Sequence, residues 1–405
     1  MRRVVITGAG TLNPLGADVA TTWAAMRAGQ CAIGPLTCRD VDRLSVQIGA
    51  EIAGFVPEDH FPKTRLSLLD RFSQIAIVAA RQAMAQSGLQ ITDALALRAG
   101  GVLGTAGGGN TTVDDNYRAV YEEGKNRVHP FVVPRLMHNA ATSHLAMEFG
   151  LKGPSFTTST ACASSNHAMG QAMQLLRAGA ADVMLTGGSE AMLCFGGIKA
   201  WEGLRVMARD TCRPFCASRS GMVQGEGGAV FVFEALEHAQ ARGAPILAEV
   251  AGFGMSSDAG DIVMPDMDGP VRAMRAALAD AAIAPNAVDY VNAHGTGTAA
   301  NDRVEAQALH TVLGARAAHV PVSSTKSMHG HMIGGTSAVE LLACLLALQE
   351  GVIAPTVNYT TPDPEIGLDI VPNTARKADV AVAMSNAFAF GGLNAVMVLR
   401  RWAGA

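Results

Sequence analysis

Two stretches of the chain repeat one design. SFTTSTACASSNHAMGQAMQLLRAG (155–179) and VPVSSTKSMHGHMIGGTSAVELLACLLALQEG (320–351) each begin with a β-branched and serine-rich strand. Each then places a chemically active residue at the strand end, followed by a small-residue helix start and an apolar helix. Self-similarity of this kind points to two related βα units that bury their apolar faces against one another. No linker-like or low-complexity stretch separates them, so the halves 1–246 and 247–405 are expected to form one compact body. If they pair about a pseudo-twofold axis, Cys162 and the segment 326–331 meet at the centre.

Length and composition fit such a body. A chain of 405 residues can bury a large two-lobed core. Hydrophobic residues make up 49% against 16% charged, and 44 glycines allow close backbone packing, which together suit an α/β protein with buried strands. VVITGAG (4–10) reads as a buried strand entering a glycine turn. It is not a dinucleotide fingerprint, because Asn13 stands where the third glycine of GxGxxG belongs. A helix is predicted over 70–87, strands at 100–109 and 181–192 that run into glycine turns, and a loop over 209–229 that leads into the strand AVFVFEAL. Beyond it come the strand AEVAGFGMSS, a helix at 270–282, and a strand with a glycine loop in DYVNAHGTGT (289–298). Residues 110–150 are more polar, carry Pro130 and Pro134, and read as an excursion that covers a pocket or forms a partner surface.

Charge and cysteine usage exclude several classes. A net charge of −4 gives no general attraction to nucleic acid or an anionic membrane, so an acidic partner must meet a local basic patch. Seven scattered cysteines without CxxC pairs suit free thiols in a reducing compartment, not a disulfide framework or zinc ribbon. The apolar run after MRR is too short for a secretory core, and LLACLLAL (341–348) is interrupted by Glu340 and Gln349. The expectation is a cytoplasmic, soluble protein with no membrane span.

Cys162 sits where a strand hands over to a helix. There the unpaired N–H groups and the helix dipole favour the thiolate, although a buried free cysteine is otherwise an ordinary small apolar residue. His294 and His331 also stand on glycine-rich strand ends, as does Lys326. The pair His329 and His331 lacks a carboxylate or cysteine at ligand spacing, so no metal site is expected. One thiol, two imidazoles and a lysine can hold a nucleophile and stabilise charge that develops on a substrate oxygen.

Four ordered motifs carry a specific resemblance. They are TACASS around Cys162; NAHGTGT around His294, followed by Asn301, Asp302 and Glu305; STKSMHGHMIGGTSAVE with Lys326 and His331; and SNAFAFGGLNA near the C-terminus. Over essentially its whole length the chain resembles the elongating β-ketoacyl-acyl-carrier-protein synthases, condensing enzymes of the thiolase fold. DTCRPF, HGTGTAAND and ALQEGVIAPTVNYTTPDP resemble the nodulation-type branch, whose members make unusual acyl chains for signalling.

The resemblance implies an α/β thiolase-like fold with two pseudo-duplicated halves in five layers, α/β/α/β/α. It implies decarboxylative Claisen condensation of an acyl group on Cys162 with a malonyl thioester. Phosphopantetheine arrives on an acyl carrier protein, and no resident cofactor or metal is required. The N–H groups of Cys162 and Phe390 would form the oxyanion hole. His294 and His331 would drive decarboxylation, Lys326 would orient the second histidine, and Glu340 would support the loop. Thr296, Thr298 and Phe388 match substrate-binding positions, and Trp201 an aromatic at the far end of the acyl pocket. A homodimer is expected, with a heterodimeric ketosynthase as the alternative.

Some positions depart from the family pattern. Ala389 replaces a glycine of the gate, and Cys216 replaces the Asp that usually follows RPF. A basic pair that greets the carrier in some relatives is Ser67-Leu68, leaving Lys63, Arg65, Arg71, Arg205 and Arg213 as substitutes. A degradative thiolase would need a second cysteine near the C-terminus, an initiating synthase Asn at position 331, and a chain-length partner the loss of Cys162.

Overall fold

The computed structural model describes residues 1–404. In the first half, β1 (Val4–Leu12), β2 (Ala99–Gly104), β3 (Ser155–Thr158), β4 (Val183–Glu190) and β5 (Gly227–Ala235) lie in the order β1-β5-β4-β2-β3. In the second, β6 (Ala248–Ser257), β7 (Tyr290–Asn292), β8 (Pro321–Ser323), β9 (Val382–Ala389) and β10 (Leu393–Arg400) lie in the order β6-β10-β9-β7-β8. The orders correspond strand for strand, and so do the directions. β2, β3 and β4 are parallel with β5 antiparallel, just as β7, β8 and β9 are parallel with β10 antiparallel. Val4–Ile6 pairs with Ala248–Val250, which joins the two half-sheets; a short strand Asp369–Ile370 flanks β8.

Helices fill the spaces on either side of the half-sheets. α1 (Arg71–Ser87) packs on the outer face of the first and α3 (Asp268–Asp280) and α4 (Ala299–Leu313) on that of the second, while α2 (Ser164–Arg177) and α5 (Thr336–Glu350) lie between them. The three large apolar cores correspond to these helical layers. The result is the α/β/α/β/α arrangement with α2 and α5 as the shared centre. α1 begins where the carboxylate of Asp70 accepts the Phe72 N–H, and it stops at Gly88, whose φ of 61° suits glycine.

The sequence placed a turn at Gly8–Gly10, but β1 runs straight through to Leu12. A Cβ at Gly8 would lie 2.1 Å from the Ala83 carbonyl oxygen, and one at Gly10 2.0 Å from that of Ala79. These glycines therefore bring α1 close to the strand. Gly252 and Gly254 do the same for Ala277 and Ala273 of α3, at 2.4 and 2.2 Å. Close packing is thus part of the duplicated design. β4 likewise continues through Gly187 and Gly188 to Glu190, correcting the turn expected there.

Residues 110–150, read as an excursion that covers a pocket or forms a partner surface, are largely helical. They form helices at Asn110–Tyr121, Val132–Leu136 and Ala140–Phe149, of which the last packs beside the outer strand β3, and they leave Tyr117, Tyr121, Phe131, Val133 and Met147 exposed. Among the described residues one segment, Ile333–Glu350, is long and apolar enough to cross a membrane, longer than the LLACLLAL run suggested. It comprises α5 and the turn before it, and it is buried in the central layer.

Candidate active site

A 3-10 turn, Ala161–Ala163, carries Cys162 from β3 into α2, which starts at Ser164, two residues later than the nucleophile. Ala161 has φ 47°, a left-handed conformation unfavourable for a residue with a Cβ. Ser164 Oγ secures it by donating to the Ala161 carbonyl at 2.7 Å and accepting the Thr160 N–H at 2.9 Å. The second half repeats the device: Ile333, with φ 44°, opens the turn Ile333–Gly335 that leads into α5. In this register Cys162 corresponds to Gly334. Lys326 and His331 come from the preceding segment and still meet Cys162 at the centre, as the echo implied.

Cys162 is 6% exposed. Burial pushes its thiol up to about 11, against the opposing pull of the Lys326 ammonium and the N–H groups of Phe390 and Cys162 itself. The resting group is a thiol, which corrects the expectation that the helix start alone would favour thiolate. The same two N–H groups are the pair expected to form the oxyanion hole, and both act on the sulfur.

The ligand atoms of Cys162, His294 and His331 lie within 4.8 Å of one another. The imidazoles stand edge to face, with ring centroids 5.6 Å apart at 83°. Burial first, and then the Lys326 charge, hold both histidines well below the usual imidazole range, so they are neutral near pH 7. The tautomer of His331 follows from its partners. Its Nδ1 lies 3.1 Å from the Ile333 N–H, which can only donate, and 2.9 Å from Thr336 Oγ1. The proton is therefore on Nε2, which is buried without a partner among the described residues. An unpartnered N–H donor in a dry pocket is suited to receive a developing oxyanion.

His294 is positioned through its backbone. Glu305 accepts the N–H groups of His294 and Gly295 at 2.8 and 2.7 Å and also the Asn386 side-chain amide at 3.1 Å. Lys326, 1% exposed, donates to the His294 carbonyl at 2.6 Å and to the Glu340 carboxylate. This corrects the expectation that Lys326 orients His331: its bonds are to the first histidine's backbone, while the ring of His331 is held by Ile333 and Thr336. Glu340, on α5, pairs with Lys326. His329 is fixed by Thr325 and the Gly330 carbonyl and takes no part in the cluster.

A cavity of about 140 Å³ opens above these groups. Thr296, Thr298, Trp201, Phe388 and Phe390 all line it, and the two threonine hydroxyls are 2.8 Å apart. Trp201 is not remote from the gate: it stacks on Phe390 with centroids 5.8 Å apart and planes at 23°. Ala389 ends β9, so the conformational freedom of the gate resides in Gly391 and Gly392, with φ of 80° and 68°. The sequence reading missed the loop Asp258–Pro265, which lines the mouth. It is tied to the gate by the Gly391 N–H donating to the Ile262 carbonyl at 2.8 Å and the Asn394 amide donating to Asp258 at 2.7 Å. Its signal is an aspartate-rich turn between predicted elements, which composition alone does not assign to a site.

Of the five basic candidates, Arg71 is paired with Glu226, Arg65 with Glu148 and Arg213 with Asp210. Lys63 and Arg205 are exposed and have no ion pair among the described residues. Cys216 stands apart from the cavity. Burial raises its thiol, but the hydroxyls of Ser218 and Thr360 and the Thr361 N–H outweigh burial and bring it to about 6.

Comparison with known proteins gives a consistent result. Residues 1–239 match the family described as β-ketoacyl synthase, N-terminal domain, and residues 247–360 match β-ketoacyl synthase, C-terminal domain. Nodulation protein E of Rhizobium leguminosarum bv. trifolii is 50% identical over 400 residues, covering 99% of both chains. The 3-oxoacyl-[acyl-carrier-protein] synthase 2 of Staphylococcus aureus (strain N315) is 42% identical over 408 residues, again covering 99% of both. Among solved structures, the ishigamide ketosynthase/chain length factor superposes with a TM-score of 0.94 at 35% identity, covering 99% of each chain.

Proposed function

Because this chain belongs to the β-ketoacyl synthase family, as a condensing acyltransferase, we propose that it joins an acyl group carried on Cys162 to malonyl carrier protein. The observation that carries the assignment of roles is the convergence of the Cys162 thiol with the His294 and His331 imidazoles, where His331 presents a free Nε2–H.

In the first half-reaction the sulfur of Cys162 attacks the carrier-bound thioester. The carbonyl oxygen takes up charge between the Phe390 and Cys162 N–H groups. The pantetheine sulfur then leaves and the thiol proton ends on it. In the second, malonyl thioester loses CO2 by cleavage of a carbon–carbon bond, and the electron pair moves onto the thioester oxygen. Neutral His294 and His331 stabilise that enolate as hydrogen-bond donors. The enolate carbon attacks the acyl carbonyl, the bond to Cys162 breaks with its sulfur leaving as thiolate and taking a proton from solvent, and a β-ketoacyl thioester extended by two carbons departs on the carrier.

Lys326 keeps positive charge close to both imidazoles and to the sulfur, which opposes their protonation and favours anionic intermediates. Thr296 and Thr298 would bond the pantetheine arm, the sole prosthetic group in this reading. Lys63 and Arg205, unpaired and exposed, are the stronger carrier contacts; Arg65, Arg71 and Arg213 already have acidic partners. The exposed outer strand β3, with Phe156 40% exposed and the helix Ala140–Phe149 beside it carrying exposed Met147, supports assembly as a homodimer, which this reading places in the cytoplasm. Likeness to a ketosynthase/chain length factor supports a heterodimer as the second reading, distinguished by whether the purified chain alone is active. The higher identity to nodulation protein E than to the synthase 2 favours a specialised acyl product.

Incubation of the purified protein with acyl and malonyl carrier proteins tests the assignment. Release of CO2 together with a β-ketoacyl carrier product is expected, and a homogeneous, folded protein that forms neither in the presence or absence of a chain-length partner contradicts it.

A further inference from the structure

Glu190 lies at the C-terminal end of β4, is fully buried, and has no place in the steps above. Its carboxylate is held by neutral donors. Thr105 Oγ1 donates to Oε1 at 2.9 Å, the Ala106 N–H to Oε2 at 2.7 Å, the Gly107 N–H to both oxygens at 3.2 and 3.3 Å, and the Gly334 N–H to Oε2 at 3.2 Å. Burial pushes the carboxyl up to about 7, against these donors. Three of the donors follow β2 in the first half of the chain. The fourth belongs to the strained turn of the second half, Ile333–Gly335, with Gly334 three residues after His331.

The fit at Gly334 is close: a Cβ there would lie 2.4 Å from the Ala106 nitrogen and 2.7 Å from Glu190 Oε2. On its other side the Gly334 carbonyl accepts Ser165 Oγ, three residues beyond Cys162. Gly334 is thus pinned between β4 and the nucleophile helix. The residue before it, Ile333, is β-branched at φ 44°, a conformation that must be imposed from outside. That conformation directs the Ile333 N–H at His331 Nδ1. Thr336 alone could not fix the tautomer, since its hydroxyl both donates and accepts.

We propose that Glu190 is a positioning residue for His331: its grip on the Gly334 N–H holds Ile333 in the left-handed conformation whose N–H occupies His331 Nδ1 and keeps the imidazole proton on Nε2. The inference rests on the reading that His331 donates from Nε2 during decarboxylation. Glu190, as an acceptor for the Gly334 N–H, is therefore needed for one half-reaction and not for the other.

The test compares the two half-reactions in full-length Glu190→Ala and Glu190→Gln, with His331→Ala as control and 15N-histidine NMR for the tautomer. Glu190→Ala should lower malonyl-carrier decarboxylation by about 10²-fold, the scale of a small misplacement transmitted from outside the reacting groups. Acylation of Cys162 should keep its wild-type rate, and an Nδ1-protonated His331 signal should appear. Glu190→Gln should restore decarboxylation and the wild-type tautomer. Its amide oxygen can replace Oε2 at Ala106 and Gly334, while its NH2 donates to the Thr105 hydroxyl. If Glu190→Ala does not accumulate folded, Glu190→Asp, which withdraws the carboxylate from Gly334, should give the same split. Parallel loss of both half-reactions, unaltered decarboxylation, or an unchanged tautomer in the folded Ala or Asp variant overturns the proposal. Decarboxylation that survives His331→Ala would instead refute the underlying assignment of His331.

Discussion

Replacing His331 with alanine removes a donor that the structure leaves free for one purpose. Its Nε2 is buried and unpartnered, and its Nδ1 is occupied by the Ile333 N–H and Thr336. Loss of one preorganised donor to a developing oxyanion in a water-excluded site costs about 2.7–4 kcal/mol, or about 10²–10³ in rate. His331→Ala should therefore slow decarboxylation of malonyl carrier by that factor while Cys162 still accepts the acyl group, whose oxygen faces Phe390 and Cys162. The assay is CO2 release measured beside intact-protein mass. The pH dependence adds a second constraint. Burial, and then Lys326, hold both histidines well below 6.5, so the neutral, active form persists. The wild-type decarboxylation rate should stay flat as pH falls from about 8 to about 6, an interval that spans the usual histidine titration. A His331→Ala enzyme with wild-type decarboxylation would refute the assignment, as would a wild-type rate that climbs on acidification through 6.5, the mark of an imidazolium.

Three further outcomes follow from the same geometry. With its thiol near 11 against an ordinary 9.0, Cys162 should be alkylated by iodoacetamide at pH 7 about 100-fold more slowly than an exposed thiol, and about tenfold faster per pH unit thereafter; a plateau near neutrality would contradict this. Lys326→Met strands the buried Glu340 carboxyl and should reduce unfolding free energy in urea by about 3–5 kcal/mol, with much of it recovered in Lys326→Met/Glu340→Leu; wild-type stability in the single variant would refute the pairing. Trp201→Ala removes the ring stacked on Phe390 and enlarges the cavity, so the profile of acyl lengths transferred to Cys162 should shift to longer chains; an unchanged profile would show that Trp201 does not bound the pocket.

Much of the site was legible because each chemical residue lies within a local motif. The duplicated βα frame could be read from the echo between 155–179 and 320–351, and the strand orders of the two half-sheets carry it through. Glycine was harder to interpret. The same residue type serves a turn or a close helix contact, and only the positions of Ala79 and Ala83 show that Gly8 and Gly10 serve the contact. The family resemblance implied that Lys326 orients His331, yet its ammonium reaches the His294 backbone, a pairing between separate segments. The Asp258–Pro265 loop and Glu190 were missed for the same reason. Their roles depend on Gly391, Asn394 and Gly334, none of which is near them in the chain. The thiol of Cys162 was expected to ionise because a helix start is visible in sequence; the burial that outweighs it is a property of the assembled layers.

The most direct test of the whole account is the intact mass of the protein after incubation with an acyl carrier protein bearing a defined acyl chain. The account predicts one added acyl group per chain, mapped by peptide analysis to Cys162 and absent from Cys162→Ala. Adduct formation at another cysteine, or none at all on folded protein offered its range of carriers, would contradict it.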